Sequence, residues 1–474
     1  MIPSSLEKIQ LLLRKGEINV EGLVSSYLQN IKSSLHLNIY VEVYEAEALE
    51  AAKKLDYRIQ SNPQSLGRLY GAVISIKDVL CHEGHKVSAA SKMLEGFLSQ
   101  FTGYAVDNVL REDAIIIGRT NCDEFAMGST NEHSAYGATL NGLDPSRVPG
   151  GSSGGAAVSV QQNTCLIALG SDTGGSVRQP SAFCGVYGFK PTYGRISRNG
   201  LIAYASSFDQ IGIISHGTKD IATTLSVISG KDVLDSTTLD VPAPKNDLGD
   251  SCDKMRIAYF PEIFENDQIS PDVTEAFYQG IAKLDSQGHT VKPVHFDLLE
   301  YLVPAYYVLT TAEASSNLLR YDGIRYGHQE DNPNDLEDLY CSSRTAGFGK
   351  EVKRRIMMGT FVLSIGYYDA YFNKAQKIRR MISERISEIF KDYDLIMMPT
   401  VTEPAWPIDS IQDDPVKMYL SDIFTVLANL CGIPALSVPI PSNTSNLSVG
   451  IQYMAPALEE ERLLRFSKHF LEVA

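Results

Sequence analysis

The sequence predicts an α/β layered fold with a largely parallel or mixed sheet, on three observations. Short apolar runs of strand length recur along the chain, and segments with apolar residues at helical spacing lie between them. The chain also has 474 residues, 44% of them hydrophobic, enough to bury a large core.

Taken in order, apolar residues at helical spacing mark helices near residues 5–15, 20–34 and 43–60. RLYGAVISIKD (68–78) then reads as a short buried strand, bounded by Gly67 and ending in charge, which sets Lys77 at a strand end. GYAVDNVLRED (103–113) reads as a helix, AIIIGRT (114–120) as an inner strand, GGAAVSVQQN (154–163) as a helix and CLIALGS (165–171) as a strand. Further on come a strand at MRIAYF (255–260) and a helix at TEAFYQGIAKLDSQG (274–288). A long helix at YYDAYFNKAQKIRRMISERISEIFKDY (367–393) precedes the runs DLIMMPT (394–400), ALSVPI (435–440) and SVGIQYM (448–454). The polar, turn-rich stretch from Thr237 to Asp253 reads as a surface loop; with no internal repeat or low-complexity tract, one domain spanning 1-474 is expected.

Composition narrows the function. With 42 basic and 57 acidic residues the net charge is −15, which opposes broad binding to a phosphate backbone. The basic segment Lys350-Glu351-Val352-Lys353-Arg354-Arg355 reads as a solvated helix face. No stretch approaches the roughly 20 apolar residues that span a bilayer, and the N-terminus has an amphipathic helical pattern without a signal-peptide core, so a cytoplasmic protein with no membrane contact is expected. Seven cysteines, an odd number without a CxxC pair, read as reduced and mostly buried thiols rather than disulfides or zinc ligands. No metal or cofactor is expected in this chain.

The stretch from Pro149 to Pro180, PGGSSGGAAVSVQQNTCLIALGSDTGGSVRQP, joins two glycine-serine loops by a run of small and apolar residues. Neither loop has the Gly-Lys-Ser/Thr ending of a P-loop or the GxGxxG spacing of a dinucleotide site, which argues against a nucleotide cradle. A serine nucleophile fits better, because Gly174-Gly175-Ser176 can bring consecutive backbone N–H groups to a developing oxyanion. For its base, none of the nine histidines lies within either loop, and there is no GxSxG elbow. A histidine brought in by the fold is one choice; Lys77, which directly follows the apolar run AVISI and would be kept neutral by burial, is the other.

Three motifs, SIKD (75–78), GGSSGG (150–155) and GSDTGGSVRQP (170–180), occur in the order and at the spacing of the amidase signature enzymes, which this chain resembles. The resemblance implies that family's α/β fold, a large central mixed β-sheet covered by helices on both faces. It also implies a Ser-cisSer-Lys triad, with Ser176 as nucleophile, Ser152 as relay after a non-proline cis peptide from Gly151, and Lys77 as base. The serines lie 24 positions apart, as in the family. Backbone N–H groups of Thr173, Gly174, Gly175 and Ser176 would form the oxyanion hole, while Ser153, Asp172 and Arg178 would orient the loops. Ala156 departs from the family, which often has a third serine there; it is expected to begin a helix against the site at little cost.

Outside the signature, NCDEFAMGST (121–130), GFKPTYGRISRNGLIAYASSFDQIG (188–212), EASSNLLRYDGIRYG (313–327), EVKRRIMMGTF (351–361) and GYYDAYFNKAQKIRR (366–380) resemble the branch of that family that serves as the glutaminase component of tRNA-dependent amidotransferases. That likeness implies a glutaminase in a heterotrimer with subunits B and C, passing ammonia to a partner that amidates Glu-tRNA(Gln) or Asp-tRNA(Asn). The tRNA, ATP and magnesium would then belong to the partner, in keeping with the acidic charge found here.

A free amino acid carries a carboxylate and an ammonium, so its pocket needs one fixed cation and one fixed anion. By resemblance these are Arg355 and Asp422, against the reading of a helix-surface pair. Tyr306, or Tyr307 beside it, would line the pocket, with Met127 and Gly128 as wall; a Met in such a run is equally at home in the core. Two other readings stand beside this one. A stand-alone amidase acting on a small or fatty amide would share the triad, whereas an inactive scaffold fits poorly with intact Lys77, Ser152 and Ser176.

Overall fold

The computed structural model describes residues 2–265, 269–410, 415–442 and 445–472. Among them, eleven strands form one mixed sheet. They are β1 (Tyr40–Val43), β2 (Val73–Lys77), β3 (Ile115–Thr120), β4 (Ile167–Asp172), β5 (Tyr187–Lys190), β6 (Gln210–Ser215), β7 (Arg256–Tyr259), β8 (Thr290–Pro293), β9 (Leu395–Pro399), β10 (Ala435–Pro441) and β11 (Ser448–Met454). Across the sheet their order is β1-β3-β2-β4-β6-β5-β10-β11-β9-β7-β8. Two parallel groups, β3-β2-β4 and β8-β7-β9, are joined through antiparallel neighbours.

Every residue of β2, β3, β4, β5, β6, β9 and β11 is buried, so both faces of the sheet are covered through most of its width. This is why the inner strands read as continuous apolar runs rather than alternating ones. The three isoleucines at 115–117 each stabilise the layer by about 1.5–3 kcal/mol relative to exposure. Helix Gly154–Gln161 packs on β2 and β4, Arg178–Cys184 on β5, β10 and β11, and Thr218–Ile228 on β6. Ala156 is fully buried in the first of these, where a small side chain permits close packing on the sheet.

The seven strands read from sequence are present, and four more complete the sheet. β1 is a half-buried edge strand with a bulge, and β8 at the opposite edge is mostly exposed, so neither carries an apolar run. β5 has only four residues, among them Gly188 and Lys190, and β6 is interrupted by Gly212. The long helix expected over 367–393 begins with a π-helical turn at Tyr368–Asn373 and becomes α-helical over Lys374–Asp392. Helix Leu302–Asn317 is buried on most sides, so periodicity gave no sign of it.

The topology already assembles a site. Because β2 and β4 are parallel neighbours, their C-terminal ends lie at one edge of the sheet, and the register Ile76↔Leu169 sets Lys77 level with the end of β4. All seven cysteines are free, four of them buried, with Cys252 and Cys431 partly buried and Cys341 exposed. No helix among the described residues is long and apolar enough to cross a membrane.

Candidate active site

Lys77 ends β2 with a fully buried side chain, and its Nζ meets three hydroxyls. Ser152 Oγ lies at 2.7 Å, Ser171 Oγ at 2.9 Å and Ser153 Oγ at 3.0 Å. No carboxylate touches it among the described residues. Burial pushes its pKa below the ordinary lysine value, and the more distant Cys122, Asp123 and Asp172 only partly oppose this. Hydroxyls can accept from an ammonium and donate to an amine, so this cradle holds the nitrogen in either protonation state.

The two glycine-serine loops meet here. The peptide bond between Gly151 and Ser152 is cis, as the resemblance implies. A side chain on Gly151 would run into the Asp123 carboxylate and the amides of Thr130 and Asn131. Gly175 adopts φ +126° against Thr425, a conformation and a space that only glycine fits. Ser153 N–H donates to the Ser176 carbonyl at 3.1 Å, tying the loops through their backbones. No hydrogen bond joins the Ser152 and Ser176 hydroxyls among the described residues. Ser176 itself is partly exposed, whereas Ser152 and Ser153 are fully buried.

Asp172 and Arg178 anchor the second loop from behind. Arg178 donates to both Asp172 oxygens at 3.0 Å, to Gln452 at 2.7 Å and to Asn429 at 2.7 Å, all fully or nearly fully buried. Burial would raise the Asp172 pKa, but Arg178, Lys190 and the Asn429 amide bring it down to about 2. The carboxylate in turn accepts from Gly175 N–H at 2.9 Å and Val177 N–H at 3.2 Å. The Gly175 amide, expected in the oxyanion hole, is therefore already engaged, which leaves Thr173, Gly174 and Ser176 as candidate donors. Ser153, expected only to orient the loop, also touches the Lys77 amine directly.

Beyond the loops lies a second set of groups. The segment 350–355 is not a solvated face throughout: Glu351, Val352 and Arg355 turn inward, because helix Lys350–Leu363 packs along helix Leu302–Asn317. Arg355, only 2% exposed, donates through Nε to Glu351 at 2.8 Å and through Nη1 to the Tyr204 hydroxyl at 3.0 Å. Among the described residues its Nη2 is buried without a partner. The guanidinium also lies 5.4 Å from the Tyr204 and Tyr307 ring centroids and 5.6 Å from that of Tyr419. Burial disfavours its charge, yet the tyrosine hydroxyls and Glu351 outweigh burial and raise its pKa above an ordinary arginine's.

Asp422 is buried as well, so the reading of a helix-surface pair does not hold. It accepts from Tyr307 Oη at 2.7 Å and from Ser129 Oγ at 3.1 Å, and no ion pair joins it to Arg355 among the described residues. Burial raises its pKa to about 6, opposed by the Tyr307 hydrogen bond and by Arg355. Tyr307 thus links the two charges, its hydroxyl on one and its ring against the other. Tyr306 packs edge-on against Tyr307 and close against Gly174. The two tyrosines offered as alternatives therefore sit together, one toward the loop and one toward the charges.

Met127 is fully buried in the main hydrophobic core, and Gly128 backs closely onto Asp123. The side chain of that segment that reaches Asp422 is Ser129, which sequence reasoning passed over. It also missed Ser171, Tyr204, Tyr419 and Glu351. Of these, Glu351 stands one helical turn before Arg355, a spacing that could have flagged the pair. Among the described residues no group of three or more His, Cys, Asp or Glu side chains could hold a metal ion.

Comparison with known proteins agrees with this architecture. The amidase family profile matches residues 22–464. The A-type subunit of glutamyl-tRNA(Gln) amidotransferase from Chlorobium phaeobacteroides (strain BS1) is 45% identical over 468 residues, covering 98% of each chain. Its counterpart from Chlorobaculum tepidum is 45% identical over 98% of this chain and 96% of its own. The crystal structure of the same subunit of glutamyl-tRNA(Gln) amidotransferase from Thermotoga maritima superposes with a TM-score of 0.81 at 38% identity, covering 99% of this chain and 97% of that one. This chain belongs to the amidase family, within the group formed by the A-type subunits of glutamyl-tRNA(Gln) amidotransferases.

Proposed function

We propose that this chain, acting as a single amidase signature domain, hydrolyses glutamine and hands the ammonia to a partner subunit that amidates Glu-tRNA(Gln). The observation that carries the glutamine assignment is the pairing, among the described residues, of an arginine with an open Nη2 and an aspartate without a cation, both buried and both against Tyr307. A free amino acid supplies the two missing charges, and a neutral amide supplies neither. The 45% identity to amidotransferase A-type subunits supports the same substrate.

In this reading neutral Lys77 takes the proton of Ser152, Ser152 takes that of Ser176, and Ser176 Oγ attacks the amide carbon of glutamine. The tetrahedral oxyanion is held by the backbone amides of Thr173, Gly174 and Ser176. Collapse expels ammonia, protonated by the reverse relay, and leaves a glutamyl ester on Ser176. Water then attacks that ester with the same base, releasing glutamate. The chain works in the cytoplasm in a heterotrimer with subunits B and C, and ATP, magnesium and most tRNA contacts belong to the partner.

Ser176→Ala tests this directly, on the full chain purified with its co-expressed partner subunits. Mass spectrometry of acid-quenched reactions should find a glutamyl adduct on the wild type and none on the variant, whose glutaminase turnover should vanish while its thermal transition is unchanged. Turnover of Ser176→Ala within tenfold of wild type would sink the assignment.

A further inference from the structure

We infer that Glu351 is a positioning residue for glutamine selectivity: it fixes the roll of the Arg355 guanidinium so that the edge carrying Nη2 stays open for the substrate carboxylate. The inference rests on the glutamine reading of the site. A guanidinium has five N–H donors in a rigid plane, and what it can grip depends on which edge is already occupied. Here Glu351 Oε1 takes Nε at 2.8 Å, Tyr204 takes one Nη1 hydrogen at 3.0 Å, and the three tyrosine rings surround the group. The edge that remains, Nη1 with Nη2, is the one suited to a bidentate carboxylate.

Glu351 is itself held. Its Oε1 also accepts from the Tyr419 hydroxyl at 3.1 Å, Arg354 pairs with Oε2, and the side chain is 2% exposed. Being shared between two guanidiniums, it cancels one positive charge and leaves one over, so Arg355 keeps a net attraction for an anion. Burial would favour a protonated Glu351, but Arg355 and Arg354 outweigh it and hold the pKa below the usual carboxylate value. The carboxylate acts on Arg355 across one helical turn, at the i,i+4 spacing, without needing to touch the substrate.

The test separates position from charge on the same preparation, with glutamine and butyramide as substrates. Glu351→Ala removes the acceptor, and Glu351→Asp keeps the charge but withdraws it by one methylene. Both should raise KM for glutamine at least tenfold, with kcat and all butyramide kinetics within about threefold of wild type. Glu351→Gln keeps an acceptor oxygen without the charge, and should restore the glutamine KM to within about threefold. If Glu351→Ala does not fold, the Asp and Gln variants decide alone. Equal losses on both substrates, a wild-type KM in Glu351→Asp, or a Gln variant as impaired as Asp each overturns the inference. Arg355→Ala, run in parallel, keeps the two failures apart. If it separates the substrates and the Glu351 series does not, only the positioning role falls; if it fails to separate them, the glutamine reading falls and takes this one with it.

Discussion

Lys77 and Arg355 are both buried cations in one chain, and their surroundings are opposite. Lys77 Nζ has three serine hydroxyls and, among the described residues, no carboxylate in contact, so burial wins and its pKa falls. Arg355 has Glu351 at 2.8 Å and three tyrosine rings, so its partners win and its pKa rises. Desolvation penalises both; the difference is whether the neighbours can carry countercharge. Neutral hydroxyls let a nitrogen give up and regain a proton, whereas a carboxylate with aromatic walls keeps a charge in place for recognition. In the proposed reading, reactivity and grip are thus set apart by the company each cation keeps.

The largest expected effect breaks the first half of that contrast. Lys77→Arg puts a permanent cation where a proton acceptor is needed, and kcat should fall by about 10³-fold or more, general-base catalysis being worth 10²–10⁴. The loss should persist at pH 9, since a guanidinium does not deprotonate there; recovery at pH 9 in stopped-time ammonia assays would contradict a lysine base.

Next in size is the second half. Arg355→Ala removes one partner of a desolvated charge contact, typically worth 2–5 kcal/mol, so kcat/KM for glutamine should drop by about 30-fold to several thousandfold. Butyramide, which never made the contact, should lose less than about threefold. Equal losses on both substrates would mark Arg355 as structural.

The smallest effect sharpens the comparison through the anion. Asp422 has its pKa raised to about 6, so above that pH it is ionised and able to hold an ammonium, and below it the charge is lost. Protonation of Lys77 on acidification slows both substrates alike, so the informative quantity is the ratio of kcat/KM for glutamine to that for butyramide. This ratio should fall as pH drops through about 6, approaching tenfold per unit; a flat ratio between pH 5 and 8 would remove Asp422 from substrate binding.

Much of the half proposed for reactivity was readable in the sequence, because its parts are local. SIKD, GGSSGG and GSDTGGS each fit within a few residues, and the AVISI run before Lys77 announces burial by itself. The half proposed for recognition gathers Ser129, Tyr204, Tyr307, Glu351, Arg355, Tyr419 and Asp422, spread over 293 positions, and no spacing rule links them all. Resemblance supplied Arg355 and Asp422, but residue chemistry alone read the segment around Arg355 as solvated, since alternating charges look the same whether a helix face meets water or another helix. Strands failed by the same logic. Inner strands such as β3 and β9 advertise themselves by apolar runs, while β1 and β8 at the edges are half-polar and are fixed by their neighbours. Ser171 was hidden for a simpler reason: a serine at a strand end has no signature until the parallel partner brings Lys77 beside it.

The parallel pairing of β2 with β4 also constrains when the protein can work. Lys77 and Ser171 are 94 positions apart, and the Arg178 that braces the loop behind them reaches Gln452, 274 positions further along. Contacts so distant in the chain form late, after slow search and loop closure, and the last one cannot exist until Gln452 has been synthesised. A nascent chain therefore carries Ser152 and Ser176 long before it can brace the loops around them, since that bracing waits for the segment that holds Gln452.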